Sequence, residues 1–217
     1  DWSSDVCSSD LNGGVVTTEN GAVLFFDGNC TLPKNKTIKI QSDAVIDGQG
    51  HELVLTAGKP GAALLIDGAE NTTLTLRNMT IRGLRDYVGN TPAIRFGAAA
   101  NQRLVLENVT IWLSDDYTFD DGKMVIVGNV AIKGPHILTY QASYDLTIRK
   151  DATLFLDLDT VMRYVPTDKK NSHLVFSVPT SRLMLNGCTI YAPSDCGLQL
   201  TKGHLVDRKS TRLNSSH

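Results

Sequence analysis

A strand–corner–strand pattern occurs three times in this chain and restricts the folds that it can adopt. The pattern is L-x-L-x-[N/G]-apolar-T-I, at residues 74–81, 104–111 and 183–190. Its Leu-x-Leu half alternates with period two, which predicts a strand with one buried face. Its fifth residue is Asn78, Asn108 or Gly187, and these residue types adopt a left-handed backbone most readily. Because an apolar residue follows at once, the pattern predicts two short strands joined by a one- or two-residue corner.

The spacing of these segments indicates a repeat architecture. A second pattern, apolar-x-I-x-x-D-A-x-apolar, covers residues 38–46 and 146–154 and also predicts strand, corner and strand. Ile81 and Ile111, which end the first two copies of the motif, are about 30 residues apart, a period that is typical of solenoids, propellers and arrays. The alternation and the abundant Thr, Val and Ile disfavour helical repeats.

These patterns predict an all-β fold, a right-handed parallel β-helix in which each coil stacks its buried side chains on those of the next. Asn78 and Asn108 are expected to form an amide ladder that stops at Gly187. Residues 36–114 are expected to form regular coils, the loop Asp115–Lys123 to interrupt them, and residues 124–164 to be less regular. The alternative is a β-sandwich, which also has short strands at regular spacing.

The two ends of the chain differ from its middle. Residues 1–11, DWSSDVCSSDL, resemble the translation of a DNA sequencing adapter, and residues 207–217, DRKSTRLNSSH, match the opposite strand of the same adapter through residue 216. Two unrelated tails would not be reverse complements, so both ends are predicted to be adapter-derived and not native. Residues 12–206 are therefore expected to be a β-helix fragment of a longer protein.

The charge balance argues against two classes of partner. The chain has 21 basic and 23 acidic side chains, for a net charge of −2. This balance predicts no binding to nucleic acid or to an anionic membrane surface. No apolar run approaches the roughly 20 residues that a membrane-spanning helix needs, so no membrane span is predicted.

One short string resembles a known protein group. Ala44–His51 reads AVIDGQGH, and Ile46–His51 is similar to a signature near the start of pectate-lyase-like β-helix proteins. That superfamily includes pectate lyases, polygalacturonases, phage tailspikes and the passenger domains of adhesins. The resemblance implies the β-helix fold, with Gly48 and Gly50 permitting a tight turn. It does not imply a particular chemistry.

The weak catalytic candidates are Asp157 and Asp159. If Leu154, Leu156 and Leu158 face inward, both carboxylates lie on the outer face, roughly 7 Å apart along one strand. This separation suits an inverting glycosidase, although any half-buried strand produces the same pattern. The ordered acidic, Gly-His-Gly and Arg-Ile-Lys strings of polygalacturonases are not present.

A weak calcium hypothesis rests on two acidic doublets. They are Asp115–Asp116 and Asp120–Asp121 in the string SDDYTFDDGK. Clustered carboxylates are the ligands that Ca²⁺ uses, but a solvated loop between coils is the simpler interpretation. No other cofactor or metal is expected, because the histidines and cysteines lack the spacing of a metal site.

The cysteines and the N-x-T strings have structural explanations. Cys188 occupies an apolar slot of the repeat, which favours a buried thiol over a disulfide with Cys196; the state of Cys30 is left open. N-x-T occurs at Asn29, Asn35, Asn71, Asn78 and Asn108. A turn followed by a β-branched strand residue generates this string without any role in glycosylation.

Two function hypotheses follow. The first is a non-catalytic secreted or cell-surface β-helix, a stalk, adhesin or passenger-type module whose partner is a glycan or another surface protein. The alternative is a polysaccharide lyase or glycoside hydrolase with its active site mostly outside this fragment. Fold alone does not decide between them.

Overall fold

The structure, a computed structural model, describes residues 3–5, 15–18, 21–85, 92–168, 172–193, 197–199, 202–208 and 211–213. Every strand pairing in these residues is parallel. The all-β parallel β-helix is therefore confirmed, and the β-sandwich alternative, which requires antiparallel sheets, is wrong. The described part of the chain contains no helix that could span a membrane.

The strands are short and follow one another closely. In chain order they are β1 (Ser3–Asp5), β2 (Val15–Thr18), β3 (Ala22–Phe25), β4 (Cys30–Leu32), β5 (Thr37–Ile40), β6 (Ala44–Asp47), β7 (Glu52–Leu55), β8 (Ala63–Ile66), β9 (Thr73–Arg82), β10 (Ile94–Phe96), β11 (Arg103–Trp112), β12 (Tyr117–Phe119), β13 (Lys123–Val127), β14 (Asn129–Lys133), β15 (Ile137–Tyr140), β16 (Leu146–Ile148), β17 (Thr153–Leu156), β18 (Val161–Tyr164), β19 (His173–Phe176), β20 (Arg182–Leu185), β21 (Thr189–Tyr191), β22 (Gly197–Gln199), β23 (His204–Asp207) and β24 (Thr211–Leu213).

The strands stack into three ladders, which are the three faces of the β-helix. Ladder one contains β1, β3, β6, the first halves of β9 and β11, then β13, β16, β19 and β22. Ladder two contains β4, β7, the second halves of β9 and β11, then β14, β17, β20 and β23. Ladder three consists of two sheets, β2–β5–β8–β10 and β12–β15–β18–β21–β24.

The coils remain regular along the described chain although their lengths differ. Leu76 pairs with Leu106 one coil further on, whereas Leu106 pairs with Ile126 across a distinctly shorter coil. The expected interruption at Asp115–Lys123 is wrong, because this segment contains β12 and completes that shorter coil. Tyr117 and Phe119 of β12 are buried, and the acidic doublets beside them conceal this alternation in the sequence.

An aromatic stack runs through the core behind ladder three. Phe96 meets Phe119 edge to face at 5.5 Å between ring centroids, and Phe119 stacks on Tyr140 at 5.5 Å. Tyr164 extends the stack 5.3 Å beyond Tyr140. Burial raises the pKa of the Tyr140 phenol, and its hydroxyl donates to the Tyr144 carbonyl at 2.6 Å. The stack therefore joins coils across the break between the two sheets of ladder three.

The corner between ladders one and two carries an amide ladder. Asn78 and Asn108 have φ of 52° and 54°, and the side-chain amide of Asn108 donates to Asn78 Oδ1 at 3.5 Å. The expectation that this ladder stops at Gly187 is wrong, because Gly187 lies on the corner between ladders two and three. Gly128 occupies the next position instead, and the Asn129 N–H donates to Asn108 Oδ1 at 3.0 Å.

Candidate functional site

A row of polar and charged side chains around one exposed tryptophan crosses ladder two on its outer face. The row, here called the outer strip, consists of Arg82, Trp112, Lys133, Asp157 and Asn186. The first three are paired in the coil-to-coil register. Asp157 and Asn186 directly follow β17 and β20 and continue the row through their side-chain contacts. These positions face outward because the residues before each of them fill the core of ladder two. Trp112 is 40% exposed, which is unusual for a tryptophan in a folded domain.

Contacts between coils align the outer strip. The Arg82 guanidinium lies 5.1 Å from the centroid of the Trp112 ring, and Arg82 Nε is 3.0 Å from Glu52 Oε1. Further along the strip, Lys133 Nζ is 3.9 Å from Asp157 Oδ2. Asn186 Nδ2 donates to Asp157 Oδ1 at 3.0 Å. The strip is therefore an ordered row of charged and polar groups with one aromatic ring.

A second outward row lies beside the strip on the same strands. Its members are Thr80, Thr110, Ala131, Phe155 and Met184. All of them are half-buried. Aromatic residues, Met and Arg are the types enriched in protein interfaces. The two rows together form a sheet face suited to contact with an extended partner.

The predicted catalytic pair does not form a pair on one strand. Strand β17 ends at Leu156, and Asp159 has φ of 62° on the following corner. Leu158, expected to face inward, is 59% exposed. The alternation breaks because the chain turns after Asp157, where the Leu158 N–H bonds the Asp157 carboxylate at 2.8 Å. The two carboxylates therefore do not share the face that the glycosidase hypothesis requires.

The acidic doublets of the calcium hypothesis are also separated. Asp115–Asp116 precede β12 and Asp120–Asp121 follow it, so a complete strand lies between them. Within the part of the chain that the structure describes, no three Asp, Glu, His or Cys side chains lie close enough together to hold a metal ion. The geometry gives the calcium hypothesis no support.

Many Asn and Asp side chains instead hold successive coils together. In each case, a side-chain oxygen accepts the backbone N–H at the start of a strand one coil further on. The pairs are Asn29 with Glu52 at 3.0 Å, Asp43 with Thr73 at 2.8 Å, Asn108 with Asn129 at 3.0 Å, Asp116 with Ile137 at 2.9 Å and Asp145 with His173 at 2.7 Å. These groups satisfy backbone donors at the corners, a structural role.

The string Ile46–His51 surrounds one buried carboxylate. Burial alone would raise the pKa of Asp47, but hydrogen bonds from the Gln49 N–H, Arg77 and Asn78 outweigh it and lower that pKa. Arg77 Nε is 2.8 Å from Asp47 Oδ2. Position 48 requires glycine because the next coil lies close to it, and an added Cβ would lie 2.4 Å from Met79 Cβ. Gly50 has φ of 91°, so the string builds a corner.

The histidines and cysteines give no catalytic arrangement in the described residues. His136 Nδ1 is 3.7 Å from Asp116, and His173 Nδ1 is 3.6 Å from Asp145, so both histidines contact aspartates that cap strands. Cys188 and Cys30 are both buried and are not joined in a disulfide. Cys196 lies outside the described residues.

Four of the N-x-T asparagines lie on left-handed corners. They are Asn35 and Asn71, each with φ of 66°, and the ladder residues Asn78 and Asn108. This backbone supports turn geometry as the origin of the string. Trp112, in contrast, was not indicated by any motif. The sequence nevertheless indicates its orientation. Trp112 directly follows Ile111 of the second repeat, and strand alternation places a residue next to an inward-facing one on the outer face.

No known protein family, curated protein or solved structure matches this chain. The relationship to the pectate-lyase-like superfamily, inferred from the string Ile46–His51, therefore remains a prediction.

Proposed function

We propose that this chain is a non-catalytic β-helix module of a secreted or cell-surface protein, and that it binds its partner through the outer strip. The partner is a glycan or another surface protein. The observation that carries the proposal is the exposure of Trp112 within an ordered row of charged and polar side chains.

The placement of the acidic residues also favours binding over catalysis. Asp157 contacts Lys133 and Asn186 across coils, and Asp116 caps a strand. Both carboxylates are therefore engaged in contacts between coils, whereas acid–base cleavage of a glycosidic bond requires two carboxylates placed on either side of that bond. In the described residues, no observation specifically favours the lyase or hydrolase alternative.

A glycan array and a cleavage assay test this proposal together. We expect Trp112→Ala to weaken binding to any recognised glycan by at least about tenfold, as truncation of a central aromatic anchor does. Leu158→Ala is the matched control, because Leu158 is also exposed but lies outside the strip. The wild-type chain should release no reducing ends or unsaturated products from the same glycans. Cleavage, or equal binding by the Trp112 variant, would contradict the proposal.

A further inference from the structure

We propose that the outer strip binds the outer strip of a second copy of this chain, with the two β-helix axes antiparallel. The two-fold axis lies midway between the coils of Trp112 and Lys133 and is parallel to the strands. This inference rests on the proposed function of the strip as a binding surface and commits to a protein partner, a second copy of the chain, rather than to a glycan.

The order of side chains along the strip carries the proposal. A two-fold axis parallel to the strands places each outward row opposite itself in reverse order. With the axis between the coils of Trp112 and Lys133, which are adjacent in the register, Trp112 faces Lys133 of the second copy. Arg82 then faces Asp157 of the second copy. Two cation–π contacts and two ion pairs result, because symmetry repeats each contact.

Neighbouring placements of the axis are unfavourable. An axis through the coil of Trp112 places Arg82 opposite Lys133 of the second copy. An axis through the coil of Lys133 places Lys133 opposite Lys133 of the second copy. Both bring like charges together, which strongly opposes association at an interface. An axis one coil further in either direction loses both the Trp112–Lys133 and the Arg82–Asp157 contacts, so a single placement of the axis combines the two.

The second outward row fits the same axis. Thr110 faces Ala131 of the second copy at the centre, and these small side chains permit the close approach of two sheets, which pack about 10 Å apart. Phe155 faces Thr80 of the second copy, which leaves space for the larger ring. The row thus places its small residues at the two-fold axis and its large ones away from it.

The contacts within one chain leave the charged groups able to bond a second copy. Arg82 uses Nε to reach Glu52, and a guanidinium has five N–H donors in total. Asp157 Oδ2 is approached by Lys133 only at 3.9 Å. The Arg82 and Asp157 side chains are 37% and 28% exposed.

The area of the face is small for a protein interface. A strand of about five residues is roughly 16 Å long, and seven coils extend about 30 Å at ~4.8 Å spacing. The dimer thus buries on the order of 900 Å² in total, at the lower end of specific interfaces. A weak dimer is expected, so the measurement requires protein at tens to hundreds of micromolar.

Sedimentation velocity of single charge-reversal variants, alone and mixed, tests the register. Arg82→Glu places two acids opposite each other, and Asp157→Lys places two bases opposite each other, so each variant alone should dimerise at least about tenfold more weakly than wild type. In an equimolar mixture, the Arg82→Glu chain and the Asp157→Lys chain are complementary at both sites, and a heterodimer should form again. Far-UV circular dichroism verifies that both variants fold.

The outcomes separate this inference from the proposed function. Rescue in the mixture supports the antiparallel register. A wild-type chain that stays monomeric up to about 500 µM, above the tens to hundreds of micromolar expected for an interface of this small size, overturns the dimer. The proposed dimer is also overturned if the mixture of the Arg82→Glu and Asp157→Lys chains stays monomeric while the wild-type chain dimerises. In either case, Trp112-dependent glycan binding still decides the proposed function by itself.

Discussion

Replacing Tyr140 with alanine is expected to lower the free energy of unfolding by about 3–5 kcal/mol, the range for deleting a fully buried aromatic side chain. Tyr140 is completely buried between Phe119 and Tyr164, so its removal leaves a cavity and breaks two ring contacts. Because neighbouring coils pack on each other, the cavity cannot close without disturbing the register.

Thermal unfolding followed by circular dichroism measures this loss. For a domain of this size, each kcal/mol corresponds to roughly 2–4 °C, so Tm should fall by roughly 6–20 °C. Tyr140→Phe removes only the hydroxyl that donates to the Tyr144 carbonyl and should cost about 1–2 kcal/mol. A Tyr140→Ala variant with nearly wild-type Tm would show that the stack does not support the core.

Gly83→Ala is expected to destabilise the chain by about 2–5 kcal/mol, for two separate reasons. Gly83 has φ of 81°, which costs an L-residue about 1–2 kcal/mol. An added Cβ would also lie 2.2 Å from the Leu55 carbonyl oxygen of the preceding coil. Backbone atoms move only at the expense of ladder hydrogen bonds, and such overpacking costs a further ~1–3 kcal/mol.

Gly50→Ala is the matched control for this substitution. Gly50 has φ of 91°, but a Cβ there would meet nothing within 4 Å. It should therefore show only the conformational cost, about 1–2 kcal/mol. Urea unfolding of both variants gives the difference, which measures the contact between coils. Equal losses would show that the coils are not held this close at Gly83.

The repeat motif predicted the fold because each coil satisfies the same local requirements. Leu74 and Leu76 face inward by strand alternation, and Asn78 makes the corner by its left-handed backbone. The motif could not show which corner it occupies. Residues 183–190 have the same pattern as residues 74–81 but lie between ladders two and three. Every corner demands the same backbone, so local pattern does not distinguish corners.

The candidate site was less predictable, because it depends on neighbours in other coils. Asp157 and Asp159 form a plausible pair only if β17 extends past Leu156, and the turn at Asp157 prevents this. Trp112 gained a role only when the register placed it between Arg82 and Lys133. Because the coils differ in length, sequence spacing alone does not bring these residues together.

Pulsed electron paramagnetic resonance on spin-label pairs in ladder one tests the parallel β-helix most directly. Val23 and Val125 are four coils apart in the register, Val23 and Thr147 five, and Val23 and Val175 six. With native cysteines replaced by alanine and labelled chains diluted in unlabelled ones, the distances should be about 19, 24 and 29 Å, at ~4.8 Å per coil. Distances that do not lengthen with coil number would contradict the fold.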